Sequence, residues 1–99
     1  MLHTAAFTTW MLNQGYPPKT PRAYLRDIER AVARTGVALE PISVANTNQL
    51  LHRIDNESLA RTRKQISNDK SAVNCYHEFR TGLALPGYKR RGAQLAAAV

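Results

Sequence analysis

The chain is poor in the residues that support disulfide-bonded or membrane-spanning proteins. Cys75 is its only cysteine, so no disulfide can form within the chain, and a lone thiol is typical of a reducing compartment. No stretch approaches the roughly 18 apolar residues that a membrane span needs. The N-terminal stretch MLHTAAFTTWML has no Lys or Arg ahead of its apolar residues, which argues against a signal peptide. We therefore expect a soluble, cytoplasmic protein without a membrane partner.

The sequence also lacks the spacings that catalysis or metal binding requires. It has no Gly-rich phosphate loop, no paired carboxylates on one helix face and no arrangement that would build a Ser-His-Asp triad. His3, His52 and His77 lie far apart, and Cys75 would point about 200° away from His77 on a helix. Metal ligands must converge on one point. We predict no catalytic residue, metal site, cofactor or small-molecule substrate.

Acidic residues are scarce as well. Seven Asp and Glu stand against fourteen Lys and Arg, which leaves a net charge of +7 in 99 residues. Residues 1–18 carry no charged residue of either type. Residues 19–36 carry five basic and two acidic residues (+3), and residues 37–58 carry one basic and three acidic residues (−2). Residues 59–99 carry eight basic and two acidic residues (+6). Nucleic acid is the commonest partner for such a balance, and acidic membrane surfaces come second.

Apolar residues at helical spacing are present along most of the chain. The composition, 43% hydrophobic over 99 residues, predicts one small packed domain. A first helix is predicted over residues 4–13, with Thr4 as its N-cap. A second helix is predicted after Thr20 as the cap and Pro21 at the first helical position, and it ends at Gly36.

Two further helices follow in the prediction. Asn46 opens the third, with Gln49 placed to complete a capping box. Ser58 or Asn56 caps a fourth helix of about 24 residues that ends before Gly82. The side chains predicted to face inward are Phe7, Trp10, Met11, Tyr24, Leu25, Ile28, Ala31, Val32, Thr35, Leu50, Leu51, Ile54, Leu59, Ile66, Val73, Tyr76 and Phe79. We expect a domain over residues 1–82 and a flexible, basic and alanine-rich tail over residues 83–99.

The second helix carries a row of arginines spaced four apart: Arg22, Arg26, Arg30 and Arg34. Like charges at this spacing repel by roughly 0.2–0.5 kcal/mol per pair. One interpretation is a solvated face, on which Asp27 pairs with Arg30 and Glu29 pairs with Arg26. However, Lys19 and Arg22 lie at the N-terminal end, where the helix dipole is already positive. Extra cations at that end favour a bound phosphate.

The fourth helix has a similar polar face. Its members recur at intervals of three to four residues and are Arg63 or Lys64, Ser67, Lys70 or Ser71, and Asn74. These side-chain types donate hydrogen bonds to phosphates and base edges. A solvated polar face is the alternative. The charge pattern of the two helices together predicts one shared basic surface.

Three segments, taken in order, resemble a known family: FTTWMLNQGYPPKTPRAYLRDIERAV, VANTNQLLHRI and SLARTRKQISNDKSAVNCYHEF. Together they are similar to the N-terminal core-binding domain of tyrosine recombinases of the phage-integrase type. The motif residues are Phe7, Trp10 and Leu12 in the first helix, Lys19, Thr20 and Tyr24 at the second, and Ser71, Ala72, Val73, Tyr76 and Phe79 in the last. The resemblance covers roughly residues 4–82.

This resemblance implies an all-α, four-helix, SAM-like core-binding bundle that forms half of a clamp around double-stranded DNA during DNA integration and recombination. In the family, the second and fourth helices lie along the DNA. The candidate DNA-binding residues are therefore Lys19, Thr20, Arg22, Arg26, Arg30, Arg63, Lys64, Ser67, Lys70, Ser71 and Asn74. A nucleoid-associated location would follow.

The family's catalytic domain has no counterpart after residue 82, so we expect a non-catalytic chain, either a fragment of an integrase or a stand-alone binding domain. Tyr88 in the tail lacks the positioned groups that activate a tyrosine nucleophile. Two other functions stay open at this point. One is a protein-interaction module that modulates a full-length recombinase or a transcription complex, and the other is RNA binding.

Overall fold

Four α-helices make up the part of the chain that the computed structural model describes, residues 2–83 and Leu85. They are α1 (Thr4–Asn13), α2 (Thr20–Thr35), α3 (Val44–Asp55) and α4 (Arg63–Thr81), and no strand occurs among the described residues. The prediction of an all-α, four-helix single domain is confirmed. The tail predicted over residues 83–99, including Tyr88, lies outside the described residues except for Leu83 and Leu85.

α4 forms the centre of the bundle and contacts each of the other three helices. Its C-terminal half is enclosed on all sides, since the four consecutive residues from Cys75 to Glu78 are all buried. A helix on the outside of a small domain buries only one stripe, so this all-round burial marks α4 as the core helix. Leu85 returns to the same core with 2% exposure, so packed chain continues beyond Gly82.

Aromatic side chains join α1 to α4. Phe7 is fully buried, and its ring centroid lies 5.2 Å from that of Tyr76 and 5.4 Å from that of Phe79. Trp10 covers this group from outside, 5.7 Å from Phe79, and is partly exposed. Tilted and edge-to-face rings at these distances are favourable pairs. Phe7 and Tyr76 are core residues as predicted, whereas Trp10 and Phe79 form the border of the core.

The predicted starts of α3 and α4 were wrong. Ser43, with an extended backbone, caps α3, and its Oγ accepts a hydrogen bond from the Asn46 amide at 3.0 Å. Asn46 therefore lies inside the first turn instead of before it. α4 begins only after Thr62, which forms a capping box with Gln65, so the helix has 19 residues and not about 24. An N-cap needs an extended backbone, which these two residues have.

The intervening residues 56–62 form turns, and this changes the position of one predicted core residue. Leu59 was expected to face inward, but its exposed fraction is 102%. The prediction was wrong because it continued the helical period through a segment that is not helical.

Threonine caps were also predicted at the first two helices, and neither forms. Thr4 and Thr20 are the first helical residues, and His3 and Lys19 precede them without a side-chain cap. Lys19 already has helical backbone angles (φ −80°, ψ −21°), so Pro21 follows in the first turn, where no amide hydrogen is required. The glycine stops are confirmed: Gly36 and Gly82 adopt left-handed φ values of 73° and 76°.

The carboxylate of Glu40 ties the loop before α3 to the end of α4. It accepts hydrogen bonds from the Tyr76 hydroxyl at 2.6 Å and from Arg80. Burial by itself would raise the pKa of Glu40, but these hydrogen bonds outweigh it and the pKa lies below its ordinary value. Burial of Tyr76, together with its hydrogen bond to Glu40, raises the pKa of Tyr76 to about 12.

The side chain of His77, a residue of α4, is buried where α4 packs against α3. The hydroxyl of Thr47 lies 2.8 Å from the Ser43 carbonyl oxygen and 2.9 Å from His77 Nδ1, so it joins the imidazole to the start of α3. Burial lowers the pKa of His77 below its ordinary 6.5. The folded protein thus holds His77 neutral.

We expect Thr62→Ala to lower the free energy of unfolding by about 0.5–2 kcal/mol, because it removes the α4 cap. Ser58→Ala is the matched control and should change it by less than about 0.5 kcal/mol. Urea denaturation of both variants measures the difference. Equal costs would contradict the start of α4 at Arg63.

His77 also makes the stability depend on pH. With a lowered pKa, the unfolded chain binds more protons than the folded one, so stability is lost as the pH falls below 6.5. His77→Asn keeps a polar atom beside Thr47 but does not titrate. Its unfolding free energy, measured by urea denaturation at several pH values, should change less below pH 6.5 than that of the parent. Identical pH profiles would rule out this role for His77.

Candidate nucleic-acid interface

The arginine row of α2 does not stay on one face of the helix. An α-helix turns about 100° per residue, so each step of four residues rotates the row by about 40° and three steps rotate it by about 120°. Arg22 and Arg34, at its two ends, therefore face different neighbours. Arg22 lies beside α1, whereas Arg34 meets the turn before α4 and α4 itself.

Arg34 is part of an ionic cluster. Its guanidinium donates to Glu57 Oε2 at 2.9 Å and to Asp69 Oδ2 at 2.8 Å, and Arg61 Nη1 donates to the same Asp69 oxygen at 2.6 Å. Asp69 is only 2% exposed, so its charge needs these partners. The hydrogen bond from Arg34 also lowers the pKa of Glu57. This cluster makes Arg34 and Arg61 structural residues.

The other arginines of the row have no such partners. Within residues 2–83, no carboxylate lies within 4.0 Å of the side-chain nitrogens of Arg22, Arg26 or Arg30. The predicted pairs of Asp27 with Arg30 and of Glu29 with Arg26 do not form. Burial and the nearby charge of Asp69 raise the pKa of Asp27. The charges of Arg26, Arg30 and Arg61 act in the opposite direction and lower it.

Three cations of the predicted site line one groove of about 860 Å³ at the N-terminal end of α2. They are Lys19, Arg22 and Arg26, and all three are exposed. Thr8 of α1 forms the opposite wall, and Glu29 is the acidic residue at the edge. We call this the α2 groove. Pro18 of the YPPK connector and Pro21 of α2 also line this groove, and neither offers an amide hydrogen.

A second groove, of about 390 Å³, runs along the N-terminal half of α4. Five predicted site residues line it: Arg63, Ser67, Lys70, Ser71 and Asn74. Ile66 and, from α3, Asp55 complete the lining. We call this the α4 groove. The Oδ1 atom of Asn74 is buried and has no hydrogen-bond partner among the described residues.

The predicted site residues therefore fall into two groups that share no lining residue. Thr20, Arg30 and Lys64 line neither groove, although Arg30 and Lys64 are exposed. Thr8 and Asp55 were missed by the sequence analysis. Each reaches a groove from a neighbouring helix, and periodicity within α2 or α4 has no signal for such a contact.

Lys70 is the one predicted site residue with an acidic partner among residues 2–83. Its Nζ lies 3.0 Å from Asp55 Oδ1 and 3.3 Å from Oδ2. The side chains are 30% and 51% exposed, so this is a surface ion pair between α3 and α4. The charge of Lys70 is thus partly neutralised within the α4 groove.

The described residues contain no group of three His, Cys, Asp or Glu side chains close enough to hold a metal ion. Over the same part of the chain, no helix combines the length and the apolar character needed to cross a membrane. Cys75 is fully buried beside Tyr16 Oη, 3.7 Å away, as expected for a small core residue.

No family model, curated protein or solved structure matches this chain. The resemblance to the recombinase core-binding domain accordingly stays a prediction from the motif residues.

Two arginines of one row should differ in their effect on stability. Arg34→Ala removes hydrogen bonds to Glu57 and to buried Asp69, and we expect a loss of about 1–3 kcal/mol in unfolding free energy. Arg30→Ala, one step along the same row, should change it by less than about 0.5 kcal/mol. Urea denaturation compares them. A similar loss in both variants would contradict the division of the row.

Proposed function

We propose that this chain is a non-catalytic, double-stranded DNA-binding domain that holds DNA through the α2 groove and the α4 groove. The observation that carries the proposal is the α2 groove, where Lys19, Arg22 and Arg26 converge without an ion pair. Lys19 and Arg22 lie at the positive end of the helix dipole, which repels them, and Arg26 repels Arg22 from one turn further along the helix. Such an arrangement lowers stability unless an anion is bound.

The spacing of the cations along the α2 groove favours a linear polyanion over a small anion. Lys19 and Arg26, the outermost cations of the α2 groove, are seven positions apart, which corresponds to about 10 Å of helix axis. Duplex DNA carries one charge per roughly 1.7 Å of its axis, so several phosphates would lie within reach of the row. A single phosphate or carboxylate would neutralise only one or two of these cations.

The α4 groove offers a different chemistry. Arg63 and Asn74 supply donors, and the hydroxyls of Ser67 and Ser71 can both donate and accept. Mixed donors and acceptors suit base edges, which present both, better than phosphates, which only accept. In this proposal α2 supplies affinity and α4 supplies sequence preference. This division agrees with the resemblance to recombinase core-binding domains, which we propose as the chain's family and which implies a role in DNA integration or recombination.

Binding to a random duplex should depend steeply on salt. If about five phosphates are neutralised, the slope of log K against log salt should be near −4 to −5, with a Kd of roughly 10⁻⁴–10⁻⁶ M at physiological salt. Fluorescence anisotropy of a labelled duplex with the full chain measures both quantities. Competition with single-stranded and double-stranded RNA tests the RNA alternative. The absence of binding at low salt would overturn the proposal and direct the search to protein partners.

The α2 groove should carry most of the salt dependence. The double variant Arg22→Ala/Arg26→Ala should weaken binding to all duplexes alike and make the slope shallower by about 1.8, the release of two counterions. Arg53→Ala is the control, since it removes an exposed cation of α3 that lines neither groove. Its slope should stay close to that of the parent. Parental binding by the double variant would contradict the assignment of this groove.

A further inference from the structure

The α4 groove includes one carboxylate, that of Asp55, among its cationic and polar lining residues. Asp55 lines this groove and also the adjoining depression in front of α4, together with Arg61 and Arg63. Its oxygens lie 3.0 and 3.3 Å from Lys70 Nζ. Any phosphate that approaches Lys70 must therefore compete with Asp55 and come close to its negative charge.

The stability of the fold does not explain Asp55. It is the last residue of α3, at the negative end of the helix dipole, where an anion is unfavourable. Its pair with Lys70 is exposed, and exposed pairs contribute little to folding. By contrast, the carboxylate of Asp69 is buried and holds Arg34 and Arg61 in place. Asp55 has no comparable structural task among the described residues.

We infer that Asp55 masks Lys70 and so suppresses phosphate binding in the α4 groove, which limits non-specific attachment to DNA. This inference rests on the proposed function, because it concerns the same surface. It adds a division between the grooves: Lys19, Arg22 and Arg26 in the α2 groove are free to neutralise phosphates, whereas Lys70 in the α4 groove is already occupied. The α2 groove then supplies the general affinity for DNA. The pairing of Lys70 with Asp55 prevents the α4 groove from binding every duplex equally well.

The test is Asp55→Asn in the full chain, with a random duplex as the probe. Unmasking Lys70 should add one neutralised phosphate, so the slope of log K against log salt should steepen by about 0.9. The affinity gain over the parent should consequently be about three- to fourfold larger at about 50 mM than at about 200 mM salt. An unchanged affinity and slope would overturn the inference.

A second variant separates masking from the simple change in net charge. Asp55→Asn should be compared in the parent and in a Lys70→Gln background, as a double-mutant cycle. Masking predicts that the gain disappears when Lys70 is replaced, whereas an equal gain in both backgrounds would overturn the inference. Thermal unfolding of all three variants confirms that each is folded. If the parent binds the duplex and Asp55→Asn binds it with the same affinity and salt slope, this inference alone is overturned. If the parent binds no duplex, the proposed function is overturned.

Discussion

The burial of α4 is the constraint on which the rest of this structure depends. Between Asp69 and Glu78 one face of the helix is buried in the bundle, and this face includes the polar side chains of Asp69, His77 and Glu78. Buried polar groups need partners, and the neighbouring elements supply them. Arg34 and Arg61 reach Asp69, Thr47 reaches His77, and Arg80 shares Glu40 with the Tyr76 hydroxyl. Each of these contacts fixes another part of the chain against α4.

The burial of α4 also separates the cations that stabilise the fold from those that remain at the surface. Asp69 forms ion pairs with Arg34 of the arginine row and with Arg61 in the turn before α4. The arginines that remain on α2 have no acidic partner within residues 2–83. The cluster that stabilises the fold at Arg34 therefore lies about two helical turns from Arg26, the nearest cation of the surface proposed for DNA.

α4 itself combines both roles along its length. Most of its C-terminal half is core, whereas residues 63–68 after the capping box at Thr62 stay at the surface, with only Ile66 partly buried. The groove on that half takes Asp55 from α3 as one wall. If the α4 groove binds DNA as proposed, the helix that presents it is anchored in the core, so its backbone needs little ordering on binding.

The sequence by itself determined the helical class, the glycine stops at Gly36 and Gly82, and most of the core, because apolar periodicity and left-handed glycine are local properties. It also predicted which side chains of α2 and α4 would be cationic or polar at the surface. Only the tertiary structure decided that Arg34 and Arg61 are structural, that Lys70 is paired with Asp55, and that Leu59 lies in a turn. The reason is physical: ion pairs between helices and the choice among competing caps depend on which segments pack together, and that is not encoded in the period of any single helix.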